Sequence, residues 1–166
     1  MMKALEEKLN YVFRQENLVL TAMTHSSYAN EHHCDSNERL EFVGDSVLGM
    51  VTAEHLFQSF PRMPEGKMTK LRAEIVCEQS LWEVADKLGL GRFLRLGRGE
   101  VLSGGRERHS ILADCVEALI AAIYLDGGME PAKAFIQTHI LSRLSGDSTV
   151  LMPDLMITPS ITITAK

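Results

Sequence analysis

Three carboxylates crowd into residues 37–48, NERLEFVGDSVL: Glu38, Glu41 and Asp45. On a helix turning about 100° per residue they fall within roughly 60° of one another, while Leu40, Val43 and Val47 mark another face. One side packs and the adjacent side is acidic. Like charges at this spacing repel, so the cluster calls either for a divalent cation or for a solvated acidic face. A second segment, residues 110–125 (SILADCVEALIAAIYL), sets Asp114 and Glu117 on an almost wholly apolar helix with no Lys or Arg to neutralise them. A helix apolar on nearly all sides is buried, and buried carboxylates are paired, protonated or metal-bound. Small residues at Gly44, Ala113, Ala118 and Ala121 allow the two helices to approach closely, bringing Glu41, Asp45, Asp114 and Glu117 to one point. Four oxygen donors without a convergent His or Cys suit Mg2+ or Mn2+ better than zinc.

The elements that must position these groups read as all-α. The periodicity predicts helices over 3–9, 16–24, 36–58, 64–76, 78–88, 110–125 and 131–145. Asp35 with Glu38 forms an expected capping box for the first acidic helix, and Ser110 is the expected N-cap of the second. Gly127 and Gly128 end that helix, Pro131 suits the first turn of the next, Gly89 and Gly91 mark a turn, and 97–105 reads as a glycine-rich loop. That loop lacks a preceding strand and a P-loop Lys, so it is not read as nucleotide-binding.

Residues 37–48 resemble the signature of the ribonuclease III catalytic domain, with Val43 where Leu is commoner. Three more blocks follow the family's order: 24–28 (THSSY), 64–72 (PEGKMTKLR) and 110–128. The resemblance runs from about residue 3 to about 145. It implies the helical endonuclease-domain fold of that family, with about seven helices and a dimeric assembly. It also implies that Glu41, Asp45, Asp114 and Glu117 are the essential acidic quartet: Glu41, Asp114 and Glu117 as principal metal ligands, Asp45 and Glu117 as the most critical for catalysis. Glu38 and Glu65 rank behind them, and Asn37 is expected to contact the RNA backbone. The implied reaction is metal-dependent cleavage of double-stranded RNA to 5′-phosphate and 3′-hydroxyl products, with Mg2+ as cofactor and Mn2+ substituting, in the processing of ribosomal and other structured RNA precursors. Two strands need two centres, which a homodimer supplies; Phe42 is expected to insert into the partner subunit. The alternative is a noncatalytic RNA-binding or assembly domain on the same fold, whose mark would be lost metal ligands. A metal-dependent hydrolase of small phosphorylated molecules would call for an adjacent His-Asp pair, and none occurs.

With 166 residues and 45% hydrophobic composition, the chain can bury one ordinary core. The first residues lack the apolar core of a signal peptide and the longest apolar run is too short to span a bilayer, so a cytoplasmic protein without membrane contact or small-molecule cofactor is expected. Three cysteines without C-x-x-C spacing speak for a reducing compartment, and residues 32–35 (HHCD) read as a polar loop rather than a zinc site. A net charge of −5 ordinarily counts against nucleic acid. Several of those acidic groups belong to the proposed metal centre, however, and basic residues cluster at Lys67, Lys70 and Arg72, at Arg92, Arg95 and Arg98, and at Arg106, Arg108 and His109. Lys67, Lys70, Arg98, Arg106 and Arg108 are the expected RNA contacts. The expected layout is a catalytic domain over 1–146 and an irregular tail over 147–166, a truncated linker or frameshift-like segment with no double-stranded-RNA-binding domain.

Overall fold

A computed structural model describes residues 2–142. Within them the chain forms nine α-helices: α1 (Met2–Leu9), α2 (Glu16–Ala22), α3 (Ser26–His32), α4 (Glu38–Ser59), α5 (Glu65–Ile75), α6 (Glu78–Leu88), α7 (Arg98–Leu102), α8 (His109–Gly127) and α9 (Met129–Ile136). Short 3-10 turns occupy Leu90–Phe93 and Gly105–Glu107, and a π turn, Gln137–Leu141, continues α9. The all-α expectation holds.

The architecture follows from α8. Ile111, Leu112, Val116, Leu119, Ile120 and Ile123 leave it apolar around most of its circumference, and the other helices wrap it, α4 most extensively, then α6, α9 and α2. From α4, Leu40, Val47, Leu48 and Val51 are buried against this core. Burying a side chain of this size contributes about 1.5–3 kcal/mol, so the shared seam of α4 and α8 is the principal apolar contact of the fold.

Several local expectations are corrected. Two short helices, α3 and α7, were not predicted. The first lies just beyond the expected 16–24 helix, which ends at Ala22, and the second lies within the expected 97–105 loop. Both are held by tertiary bonds: Gly97 N–H donates to Ser27 Oγ at 2.9 Å, and Arg98 N–H to a Glu31 carboxylate oxygen at 2.9 Å. Asp35 does not cap α4. The cap position is Asn37, whose N–H donates to Thr24 O at 2.8 Å, while Ser36 Oγ donates to the Glu38 carboxylate. Nor is Ser110 the cap of α8, because the Gly105–Glu107 turn feeds the chain in through Arg108, one residue before the first helical residue, His109. Gly128, at φ +88°, reverses the chain into α9, which begins before Pro131. Of the expected 131–145 helix, residues 143–145 lie outside the described residues, as does the expected 147–166 tail. Among the described residues no helix is long and apolar enough to cross a membrane.

Candidate metal centre

The close approach of α4 and α8 turns on Gly44, which is buried. A Cβ there would lie 1.8 Å from the backbone carbonyl oxygen of Glu117, so only glycine lets the helices meet at this depth. The contact sets Glu41, one turn before Gly44, against Asp114 and Glu117. Oxygens of these three half-buried carboxylates lie within 4.8 Å of one another.

The electrostatics show what the arrangement lacks. Glu117 is pushed up to about 8, first by burial and then by the negative charges of Asp45, Glu41 and Asp114. Burial likewise raises Glu41, assisted by Asp114, Glu38 and Asp45. It raises Asp114 too, assisted by Glu78, with His25 pulling the other way. Each carboxylate resists ionising because it is half-buried and, second to that, because its neighbours are anions with no Lys or Arg among them. Three hard oxygen donors sharing one point in this frustrated state fit a divalent cation, which would relieve both the burial and the repulsion.

The other expected site residues divide. Asp45 and Glu38 are exposed on α4 and lie outside the close trio, acting on it through their charge. Glu65 opens α5, accepts a hydrogen bond from Thr69 Oγ1 at 2.7 Å, and borders a separate groove of about 510 Å³ between α4 and α5. Asn37, 3% exposed, donates its side-chain amide to Ala22 O at 3.3 Å; it joins α2 to α4 rather than presenting itself for RNA contact. Arg106 turns inward, its Nη1 donating to Gly91 O at 2.9 Å and Leu94 O at 2.7 Å. Arg108 is paired with Glu100 at 2.6 Å. Lys67, Lys70 and Arg98 are exposed, and their side chains have no ion-pair partner among the described residues. Phe42 is 76% exposed, and Met50 and Phe57 are exposed on the same helix. The acidic neighbour Glu78 and the histidine His25 were missed as companions of Asp114. Glu78 carries no sequence signal, whereas His25 stands inside the THSSY block.

The Ribonuclease-III-like family model matches residues 15–144. The chain is 57% identical over 131 residues to Ribonuclease 3 of Symbiobacterium thermophilum, covering 78% of this chain and 55% of that protein. It is 54% identical over 138 residues to Ribonuclease 3 of Caldanaerobacter subterraneus, covering 82% and 60%. The chain thus spans little more than half the length of these curated relatives. The crystal structure of the nuclease domain of ribonuclease III from Campylobacter jejuni superposes with a TM-score of 0.80 at 42% identity, covering 86% of this chain and 95% of that one. A second structure of that nuclease domain, described for structural flexibility in the region involved in dimer formation, gives 0.79 at 41% identity, covering 84% and 98%. Matched by one family across most of its length and by relatives at more than half identity, the chain belongs to the ribonuclease-III-like family.

Proposed function

We propose that this chain is the nuclease domain of a divalent-metal-dependent endoribonuclease that cuts double-stranded RNA, leaving 5′-phosphate and 3′-hydroxyl ends, in the processing of structured RNA precursors in the cytoplasm. The observation that carries the proposal is the unneutralised trio Glu41, Asp114 and Glu117 on two helices locked at Gly44, in a chain of this family. These three carboxylates would hold the cation, Mg2+ or in its place Mn2+. Bound there, a divalent cation supplies Lewis-acid chemistry: it activates water, screens the scissile phosphate and supports the departing 3′ oxygen. Asp45, exposed beside Glu117 and Glu41, is free to orient the attacking water or accept its proton. Glu38 keeps the edge of the cluster anionic, reinforcing cation affinity. The solvent-facing Lys67, Lys70 and Arg98 supply cations for the phosphate backbone of an A-form duplex, which is recognised by shape and phosphates more than by base edges.

Cutting both strands requires two such centres, so the functional unit is a homodimer. Exposed Phe42, Met50 and Phe57 along α4, beside the groove lined by Ala53, Leu56 and Met68, support that helix as the shared face. The test is cleavage of an end-labelled RNA duplex at low salt with Mg2+, alongside single-stranded RNA, an EDTA control and Glu117→Gln. Duplex-specific cutting abolished by EDTA and by the substitution is expected. Binding without cutting across Mg2+ and Mn2+ titrations would instead establish a noncatalytic RNA-binding domain.

A further inference from the structure

The THSSY block contains a histidine that the proposed reaction leaves without a task. Residues 23–25 form a strap between the two acidic helices. Met23 Sδ lies 3.5 Å from Sγ of Cys115, the residue after Asp114. Thr24 O accepts the N–H of Asn37, the cap of α4, at 2.8 Å. On its other side the strap is bonded to Arg95, whose N–H donates to Met23 O at 2.8 Å and whose carbonyl accepts His25 N–H at 3.1 Å. The strap thereby holds His25 beside the α8 segment that carries Asp114.

Its ring is also oriented. Nδ1 accepts the backbone N–H of Ser27 at 3.2 Å, capping α3. Because Nδ1 accepts that N–H it carries no proton of its own, so Ser27 Oγ, 2.8 Å from the same Nδ1 and itself accepting from Gly97 N–H at 2.9 Å, directs its hydroxyl proton at the ring nitrogen. Two donors converge on Nδ1, and the hydrogen-bond network therefore assigns the ring proton to Nε2. Among the described residues no group accepts from Nε2. A half-buried histidine is thus held in one tautomer with its outer N–H uncommitted.

We propose that His25 is a positioning residue of the metal centre, presenting its Nε2–H to the carboxylate of Asp114 across one water and fixing that carboxylate in its ligating orientation. The inference rests on the metal-centre reading above. Groups that orient metal-binding carboxylates commonly change affinity about 10–100-fold when removed. The role divides cleanly between the two ring nitrogens, and two substitutions separate them. His25→Asn keeps a side-chain oxygen that can cap α3 but has no donor at the Nε2 position. His25→Gln carries an amide N–H to that position and caps poorly.

The experiment measures Mn2+ uptake by the full chain, reading the free ion by electron paramagnetic resonance, together with thermal unfolding in EDTA. Expected is a crossed order: His25→Asn melts close to wild type yet binds Mn2+ about tenfold or more weakly, whereas His25→Gln melts lower yet retains most of the affinity. A purely structural histidine would make affinity follow stability in both variants, and that result overturns the inference, as does wild-type affinity in His25→Asn. If the wild type takes up no Mn2+, the metal-centre reading falls and this inference with it.

Discussion

Replacing Gly44 by alanine tests whether the helix seam is what assembles the carboxylates. The added Cβ would meet Glu117 O at 1.8 Å and Glu117 C at 2.5 Å, whereas ordinary contact begins at 3.4 Å. Both obstructing atoms are backbone, which has no rotamer to change, so α4 and α8 must part by about 1.6 Å at this level. Alanine gains about 1 kcal/mol over glycine in a helix interior. Overpacking commonly costs about 1–3 kcal/mol, and more where backbone must move, so the net expectation is destabilisation by about 2–3 kcal/mol. For a domain of this size that lowers the melting temperature by on the order of 10 °C. The separation also carries Glu41 away from Asp114 and Glu117, far beyond the roughly 0.2 Å within which metal–ligand distances are held, so Mn2+ affinity falls at least about tenfold. Gly49→Ala is the internal control: it lies on the same helix with nothing within 4 Å of the added atom. It should raise stability by about 0.5–1 kcal/mol and leave metal binding alone. Thermal unfolding and Mn2+ titration of both variants decide the matter. A Gly44→Ala protein as stable as Gly49→Ala, with wild-type Mn2+ affinity, would refute the idea that this contact positions the site.

Three further outcomes follow from the same geometry. Because Glu117 rises from 4.5 to about 8, the folded metal-free chain binds a proton across that window that the unfolded chain has lost. Its contribution to stability is therefore complete below pH 4.5 and is lost as pH rises through about 8. Urea unfolding in EDTA should show the wild type losing stability between pH 5 and 8 and Glu117→Gln losing less, by about 1 kcal/mol once solvent screening of this half-buried group is allowed for. Arg106→Ala should lower stability by about 1–3 kcal/mol by orphaning Gly91 O and Leu94 O, while Lys70→Ala leaves unfolding unchanged and flattens the salt dependence of duplex binding by about one counterion; equal effects on stability would contradict this division. Asp126 accepts from Tyr11 OH at 2.7 Å and from the N–H groups of Arg14 and Gln15 at 3.0 and 2.8 Å. Burial works against its charge, but the Arg14, Tyr11 and Gln15 donors outweigh it and hold the carboxyl below 3.8. That support is present above pH 3.8 and lost in stronger acid, so Asp126→Ala should cost about 1–3 kcal/mol at pH 7 and progressively less as the pH falls below 3.8, as acid-to-neutral unfolding series would show.

The acidic helices were legible in the chain because their signals are local. A 3.6-residue period places Glu38, Glu41 and Asp45 on one side of α4, and an apolar circumference marks α8 as buried. The requirement for a small residue at Gly44 was equally readable, since helix approach is limited by the side chain between the backbones. Tertiary structure decided the rest. Helices of five and seven residues such as α7 and α3 are too short to nucleate alone, and they exist because Ser27 and Glu31 bind the 97–98 backbone. Residue type did not distinguish an arginine facing solvent from one that, like Arg106, satisfies buried carbonyls, nor reveal that Asn37 would join α2 to α4. The four carboxylates were expected at a single point, yet three converge and Asp45 borders them, because the meeting of two helices is set by three-dimensional packing while spacing along each helix constrains only its own face. The chain by itself determined which groups can carry negative charge to the seam of α4 and α8; the packing of the two helices determined which of them converge there.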